Sequence, residues 1–321
     1  MKAVQVSKTG GPEVLEYLEV ADPTPGRGQA LIEVQAIGVN YTEVYTRSGS
    51  TPASLPVIPG GEAAGIVSQV GEGVSEVVVG DLVAFTGGSG SYAEKVIVPS
   101  WRLIKLPDGV DAEAGAAAML QGMTAHYLSH STYSLKPGDI CLVHAAAGGV
   151  GHLLTQMAKS LGATVIGTVS TAAKAELARG SGADHIIMYT EEDFEEEIKK
   201  ITGGSGVQVV YDAVGATTFD KSIASLAPRG CMALYGQASG PVHDISPSIL
   251  TSKSLFLTRP GLGPYTATRE ELLQRAGDVL GWVRSGKLKL HIHGKFPLRD
   301  ASEVHRQLEG RETTGKLLLI P

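Results

Sequence analysis

Apolar residues fall along this chain in three rhythms. Up to about residue 122 they come in short runs, 30–36, 64–70, 82–85 and 92–98, cut apart by Gly10-Gly11-Pro12, Pro23-Thr24-Pro25-Gly26 and Pro59-Gly60-Gly61. Short strand-like runs punctuated this way predict a small, partly open β-barrel. From about residue 124 to 263, the runs 140–145, 164–169, 185–188, 207–211, 231–235 and 255–258 alternate with stretches of helical period. Most of these runs are nearly continuously apolar, as parallel strands covered on both faces are. Six strands with helical crossovers predict an α/β, doubly wound Rossmann sheet.

The clearest helix lies between the first two of those strands. Val150, Leu153, Leu154, Met157, Ala158 and Leu161 form one stripe of a helical surface, and Gly162 stands where a left-handed C-terminal cap belongs. A further helix start is expected at Thr190, with Asp193 three residues on as its capping partner. The tail from residue 265 shows a helix over 269–284 and strand-like runs at 288–291 and 316–320. It is too short for a domain of its own and is expected to return to the N-terminal barrel. The predicted division is 1–122 with 265–321 as a β-rich domain, and 123–264 as the doubly wound domain.

Composition narrows the class. With 321 residues and 43% apolar content, the chain can bury two cores without disulfides or metals. Its formal charge of −6 is spread along the chain with no basic cluster, so a nucleic-acid partner is not expected. No run is long enough to cross a membrane and no signal-peptide pattern opens the chain. Cys141 and Cys231 both sit in apolar runs, which reads as small core residues in a reducing, cytoplasmic setting.

The strongest chemical signal is Ala146-Ala147-Gly148-Gly149-Val150-Gly151, which follows the strand at 140–145 and opens the helix just described. Free N–H groups and the dipole at such a helix start hold a pyrophosphate. Gly148 lets the backbone approach the phosphates and Gly151 lets helix and strand pack closely, although Ala146 replaces the first glycine of the usual pattern. About 20 residues further on, a carboxylate would hold the ribose 2′-hydroxyl of NAD. Here the strand ends Gly167-Thr168-Val169-Ser170-Thr171, with Lys174 following. A hydroxyl and an ammonium without an acid suit the extra phosphate of NADPH.

Taken together, several stretches resemble the quinone oxidoreductases of the ζ-crystallin type, zinc-free members of the medium-chain dehydrogenase/reductase superfamily. They are Gly10-Gly11-Pro12-Glu13-Val14-Leu15, Gly38-Val39-Asn40-Tyr41, Tyr45-Thr46-Arg47-Ser48-Gly49, Pro59-Gly60-Gly61-Glu62-Ala63-Ala64-Gly65, His144-Ala145-Ala146-Ala147-Gly148-Gly149-Val150-Gly151, Tyr211-Asp212-Ala213-Val214-Gly215 and Leu257-Thr258-Arg259-Pro260. The resemblance implies a GroES-like catalytic domain joined to the nucleotide domain, an active cleft between them, and a homodimer through the edge of the nucleotide-binding sheet. It implies that Ser170, Lys174 and Tyr189 hold the 2′-phosphate and that Gly148, Gly149 and Val150 contact the pyrophosphate. Thr124 and Gly236 would lie near the nicotinamide half, Arg311 would reach the cofactor from the tail, and Asn40 and Tyr45 would face nicotinamide and substrate. Relatives often carry a second tyrosine after the Arg-Ser-Gly stretch, whereas this chain reads Gly49-Ser50-Thr51-Pro52-Ala53-Ser54.

Absences inform the chemistry too. The tract around Asn40 lacks cysteine, Gly61 stands where zinc enzymes place a histidine before Glu62, and His291-x-His293 is too few ligands for a site. The expected activity is zinc-independent reduction of a quinone by NADPH, through hydride or single-electron transfer. The same residues leave open an NADPH-dependent alkenal or enone reductase, and a catalytically idle NADPH-binding protein of structural or regulatory role.

Overall fold

The structure is a computed structural model that describes all 321 residues. Along the chain come β1 (Lys2–Val6), β2 (Leu15–Glu19), β3 (Gln29–Val39), α1 (Tyr41–Ser48), β4 (Glu62–Val70), β5 (Leu82–Thr86), β6 (Lys95–Pro99), β7 (Ile104–Lys105) and α2 (Ala112–Tyr127). Then follow β8 (Ile140–Val143), α3 (Gly149–Ser160), β9 (Thr164–Val169), α4 (Ala172–Gly180), β10 (His185–Met188), α5 (Phe194–Ile201), β11 (Val207–Asp212), α6 (Phe219–Ala224), β12 (Leu226–Leu234) and β13 (Phe256–Thr258). The chain ends with the single turn α7 (Leu262–Tyr265), α8 (Arg269–Arg284), β14 (Ile292–Pro297), α9 (Ala301–Glu309) and β15 (Lys316–Ile320). It divides into two compact units, Met1–Met123 with Tyr265–Pro321, and Thr124–Pro264.

The first unit is built around β3. Its eleven residues pair with β4 along one edge, while β6 and β15 share the other, β6 at the N-terminal half and β15 at Ile37–Val39. The sheet runs β14-β15-β3-β4-β5-β7, so the tail does return to the N-terminal strands. Alternate side chains such as Ile32, Ile37, Val67, Phe85 and Leu317 meet in one core. The second unit is a six-stranded parallel sheet, ordered β10-β9-β8-β11-β12-β13, with its own core around Leu142, Ile166, Val210, Phe219 and Met232. The strand order reverses between β8 and β11, and ligands of such sheets bind at that switch point, beyond the carboxyl ends of the strands.

Helix α3 ends as its sequence requires. Gly162 has φ +82°, its N–H donates to the Lys159 carbonyl, and the Ala163 N–H donates to the Ala158 carbonyl, a paired left-handed cap. Three expectations are corrected. The helix expected from Thr190 starts at Phe194, because Asp193 is itself the cap and accepts the Glu195 and Glu196 N–H groups, while the Thr190 hydroxyl donates to the Ser170 carbonyl. Residues 288–291 form no strand: the chain leaves α8 through Gly286 at φ +73°, and buried Leu288 folds its N–H back onto the Trp282 carbonyl. The strand expected at 92–98 is β6, because Tyr92 and Ala93 bond instead to the first strand.

Candidate functional site

In the second unit, the turn from β8 into α3 carries the nucleotide signature. Ala145 takes φ +53°, which costs a residue with a Cβ about 1–2 kcal/mol, and turns the chain back over the end of β8. A Cβ on Gly151 would collide with the Ala145 carbonyl and the Ala146 backbone, so only glycine lets α3 start this close to the strand. The N–H groups of Gly149, Val150 and Gly151 head α3, where no intrahelical acceptor exists. The Gly148 N–H is already given to the Ala145 carbonyl at 2.8 Å, so what Gly148 offers a ligand is its bare Cα. These features fit a pyrophosphate.

At the end of β9, Lys174 Nζ reaches the Ser170 hydroxyl at 3.4 Å, one turn along from Thr171, which caps α4 by accepting the Lys174 N–H. Tyr189 follows β10 with its N–H on the Val169 carbonyl and its ring 39% exposed. Ser170, Lys174 and Tyr189 therefore share one end of adjacent strands, and no acidic residue stands among the five residues that follow β9. Gly236 follows β12 and packs so close to Ala213 that a Cβ would strike its backbone. Thr124 is buried in α2 at the start of this unit, and Arg311 lies in the other unit at φ +58°, exposed.

Beneath the turn lies a buried chain of polar groups that the sequence did not announce. His144 Nδ1 meets the Thr168 hydroxyl and Nε2 meets the Ser222 hydroxyl, both at 2.9 Å. Ser222 donates to Asp212, whose carboxylate also accepts the Val214 and Gly215 N–H groups and the Thr218 hydroxyl. Because Ser222 gives its proton to Asp212, His144 Nε2–H must donate to Ser222 and Nδ1 must accept from Thr168, a neutral imidazole. Burial agrees, holding the His144 pKa below its ordinary value against the pull of Asp212. The chain ties the turns after β8 and β11 together at the switch point.

The first unit holds a second buried cluster, around Asn40. Asn40 Nδ2 donates to Glu62 at 2.9 Å and to the Gly38 carbonyl at 3.2 Å. Its Oδ1 accepts from Lys316 Nζ at 2.8 Å and from Gln121 Nε2 at 3.3 Å. All four hydrogen-bonding positions of the amide are thus filled inside the protein. Lys316 also pairs with Glu62 at 2.5 Å, with side-chain exposures of 3% and 0%, and the other Glu62 oxygen accepts the Leu120 N–H. Gly38 must be glycine here, since a Cβ would strike the Glu62 carboxylate and the Ala116 carbonyl. Sequence reasoning missed Gln121, and Lys316 as the partner of Glu62; the available signal was an acid and a base standing in apolar runs with nothing nearby to pair them.

Helix α1 carries Tyr45 and a second aromatic that sequence reasoning passed over. Tyr41 and Tyr45 are one turn apart with ring centroids 5.5 Å apart and planes tilted by 52°. On the buried side Arg47 pairs with Glu309 at 2.6 Å, and near it Tyr92 bonds to His305 at 3.0 Å. Burial and the Arg47 charge push the His305 pKa down to about 3, so this imidazole is neutral.

A metal does not fit. No three His, Cys, Asp or Glu side chains group closely enough to hold an ion, and His291 and His293 both turn to the Thr314 hydroxyl, at 3.0 and 3.1 Å. Asn40 and Gly61 offer no thiolate or imidazole, so no catalytic step is routed through zinc.

Comparison with known proteins finds two matching family models. Residues 26–108 match the family model described as alcohol dehydrogenase GroES-like domain, and 149–276 match that described as zinc-binding dehydrogenase. A quinone oxidoreductase from Pseudomonas aeruginosa is 43% identical over 100% of this chain and 99% of its own. A 2-haloacrylate reductase from a Burkholderia species is also 43% identical, over 99% of this chain and 98% of its own. Among solved structures, the Escherichia coli quinone oxidoreductase complexed with NADPH has a TM-score of 0.98 at 43% identity, covering 100% of both chains. A mycobacterial protein complexed with NADPH has a TM-score of 0.97 at 46% identity, again covering 100% of both.

Proposed function

The chain belongs to the quinone oxidoreductase family of the medium-chain dehydrogenase/reductase superfamily, and on that premise we propose that it reduces quinones with NADPH and without zinc. It is an oxidoreductase whose cofactor is NADPH. The observation that carries the cofactor is the end of β9, where Ser170 and Lys174 stand 3.4 Å apart and the residues from Ser170 to Lys174 include no acid. Lys174 supplies charge to the 2′-phosphate, Ser170 a short donor, and exposed Tyr189 a flat wall. The N–H groups of Gly149 and Val150 take the pyrophosphate, while Gly148 and Gly236 clear space. Thr124 and Arg311 complete the cofactor contacts.

The cofactor, when bound, supplies a hydride or a single electron. The protein has to hold a flat acceptor at reacting distance, an effect worth about 7–11 kcal/mol at best. Tyr45, backed by Tyr41, faces the acceptor. Asn40, with its amide fully engaged, positions this end of α1 through Glu62 and Lys316. We further infer a homodimer through the edge strand β13, where Phe256 is 64% exposed, and a cytoplasmic setting. No helix is long and apolar enough to cross a membrane.

A second reading, NADPH-dependent reduction of a conjugated alkene or enone, is favoured by the equal identity to the 2-haloacrylate reductase. Oxidation of NADPH should be followed with 9,10-phenanthrenequinone, a 2-alkenal and 2-haloacrylate in parallel, with NADH as control. Turnover with the quinone above the others supports the first reading, and the reverse order the second. Tight NADPH binding with no acceptor reduced would leave an idle nucleotide-binding protein.

A further inference from the structure

The first unit contains a pocket of about 190 Å³ that the mechanism above leaves unused, lined among others by Thr42, Glu43, Thr46, Gly60, Gly61 and Ser89. Glu43 is the third residue of α1 and is 3% exposed. One carboxyl oxygen accepts the Asn40 N–H at 2.7 Å, the usual task of an acid or amide at this position of a helix. The other accepts the Gly61 N–H at 3.2 Å and meets the Thr42 hydroxyl at 3.1 Å. Capping needs an oxygen and would be served equally by glutamine. An acid adds a proton.

We propose that Glu43 stores the proton consumed in the reduction and passes it through the Thr42 hydroxyl to an acceptor whose ring meets Tyr45, three residues on from Thr42 in α1, and whose oxygen enters this pocket. The inference rests on the reading of the chain as a quinone reductase. Its basis is the set of neighbours. Two of the three groups bonded to Glu43 are backbone N–H donors, which cannot accept. A protonated Glu43 therefore has one of them to give its proton to, the Thr42 oxygen. Once Thr42 accepts, its own hydrogen must rotate away from Glu43, and Thr42 lines the pocket. Asn40 cannot serve instead, because both of its amide hydrogens are committed.

Electrostatics supports the geometry. Burial pushes the Glu43 acid up to about 7, outweighing the pull of Lys316 and of the hydrogen bonds it accepts. The groups facing it are Lys316 from β15, buried Tyr92 from the segment before β6, and Glu62 from β4 across Asn40, with Arg47 further along α1. Near neutral pH both forms are populated, which is the condition for efficient proton transfer in either direction. The step balances. Hydride brings two electrons and one hydrogen to the quinone, and the oxygen gaining charge takes the Thr42 hydrogen. Thr42 takes the Glu43 hydrogen, and the carboxylate left behind is reprotonated from solvent through the pocket.

The test measures kcat for 9,10-phenanthrenequinone between pH 5.5 and 9 in the wild type, Glu43→Gln, Thr42→Val and Thr42→Ser. In the wild type, kcat should fall as pH rises through about 7. Glu43→Gln and Thr42→Val should lower kcat about 100-fold and flatten the profile, with NADPH Kd within about twofold of wild type, and Thr42→Ser should restore both rate and profile. Wild-type rate and profile in Thr42→Val, a same-shaped change at an exposed residue, overturns the route whatever Glu43→Gln does to folding. Wild type that turns over normally beside unaffected variants sinks only the proton route. Wild type that binds NADPH and reduces no acceptor overturns the functional reading and this one together.

Discussion

The two units each bury a polar network, and the two networks are of opposite kind. In the nucleotide unit, His144 is neutral and Asp212 is satisfied by two backbone N–H groups and two hydroxyls. Its partners hold in place the turns after β8 and β11. In the barrel unit, Lys316 and Glu62 form a buried ion pair with Asn40 and Gln121 wrapped around it. The first network fixes the turn proposed to take the pyrophosphate. The second holds together four segments, β3, β4, α2 and β15, and so fixes the start of α1 where Tyr45 and Glu43 stand. On the proposed reading, cofactor recognition draws on local backbone and on side chains close in sequence, and the acceptor side on side chains distant in sequence.

The sharpest way to break this contrast is to remove one charge of the barrel pair. Lys316→Met leaves Glu62 buried and unpaired and should cost about 3–5 kcal/mol in denaturant unfolding. Ser222→Ala, at the centre of the other network, should cost about 1–3 kcal/mol. Equal losses would erase the distinction.

Next in size is the glycine at the start of α3. Gly151→Ala forces a methyl group into the Ala145 carbonyl and should raise the NADPH Kd about 100-fold, close to 2.7 kcal/mol by calorimetry. A change below threefold would show that the close approach of helix and strand is not what binds the phosphates. Smaller again is Lys174→Ala. Loss of one charged hydrogen bond should weaken NADPH by about 1.5–3 kcal/mol while leaving NADH unchanged, and unchanged preference would reject the assignment.

The smallest effect is in pH. His144 and His305 have folded pKa values below the ordinary one, so their contribution is complete above pH 6.5 and is lost as pH falls. Glu43 is raised, so its contribution is complete below its ordinary range and is lost as pH rises through about 7. Between pH 6.5 and 5.5 His305 should cost about 1 kcal/mol and Glu43 should return about 1, while His144 acts in the same direction as His305. Over that step Glu43→Gln should therefore lose about 1 kcal/mol more stability than the wild type. Parallel curves would show that Glu43 is not held protonated.

The same contrast explains what could be read from the sequence. The six parallel strands, the helix stripe from Val150 to Leu161 and its Gly162 cap depend on neighbours a few residues away, and they were visible. So was the missing acid after β9. The cluster around Asn40 joins residues separated by as many as 276 positions, and no local pattern encodes which lysine will meet which glutamate. Leu288 misled because an apolar residue folding back under a helix exit looks, in one dimension, like the start of a strand. Thr190 misled because two capping residues stood three apart and only Asp193 was placed to accept from the helix. Tyr41 was overlooked beside Tyr45, although a spacing of four on a short helix puts both rings on one face.

Titration calorimetry of the purified chain with NADPH and with NADH bears most directly on the nucleotide site from which the functional reading starts. One NADPH should bind per chain, at least tenfold more tightly than NADH, with the difference removed in Lys174→Ala. No heat with either reduced cofactor, or equal affinity for the two, would contradict it.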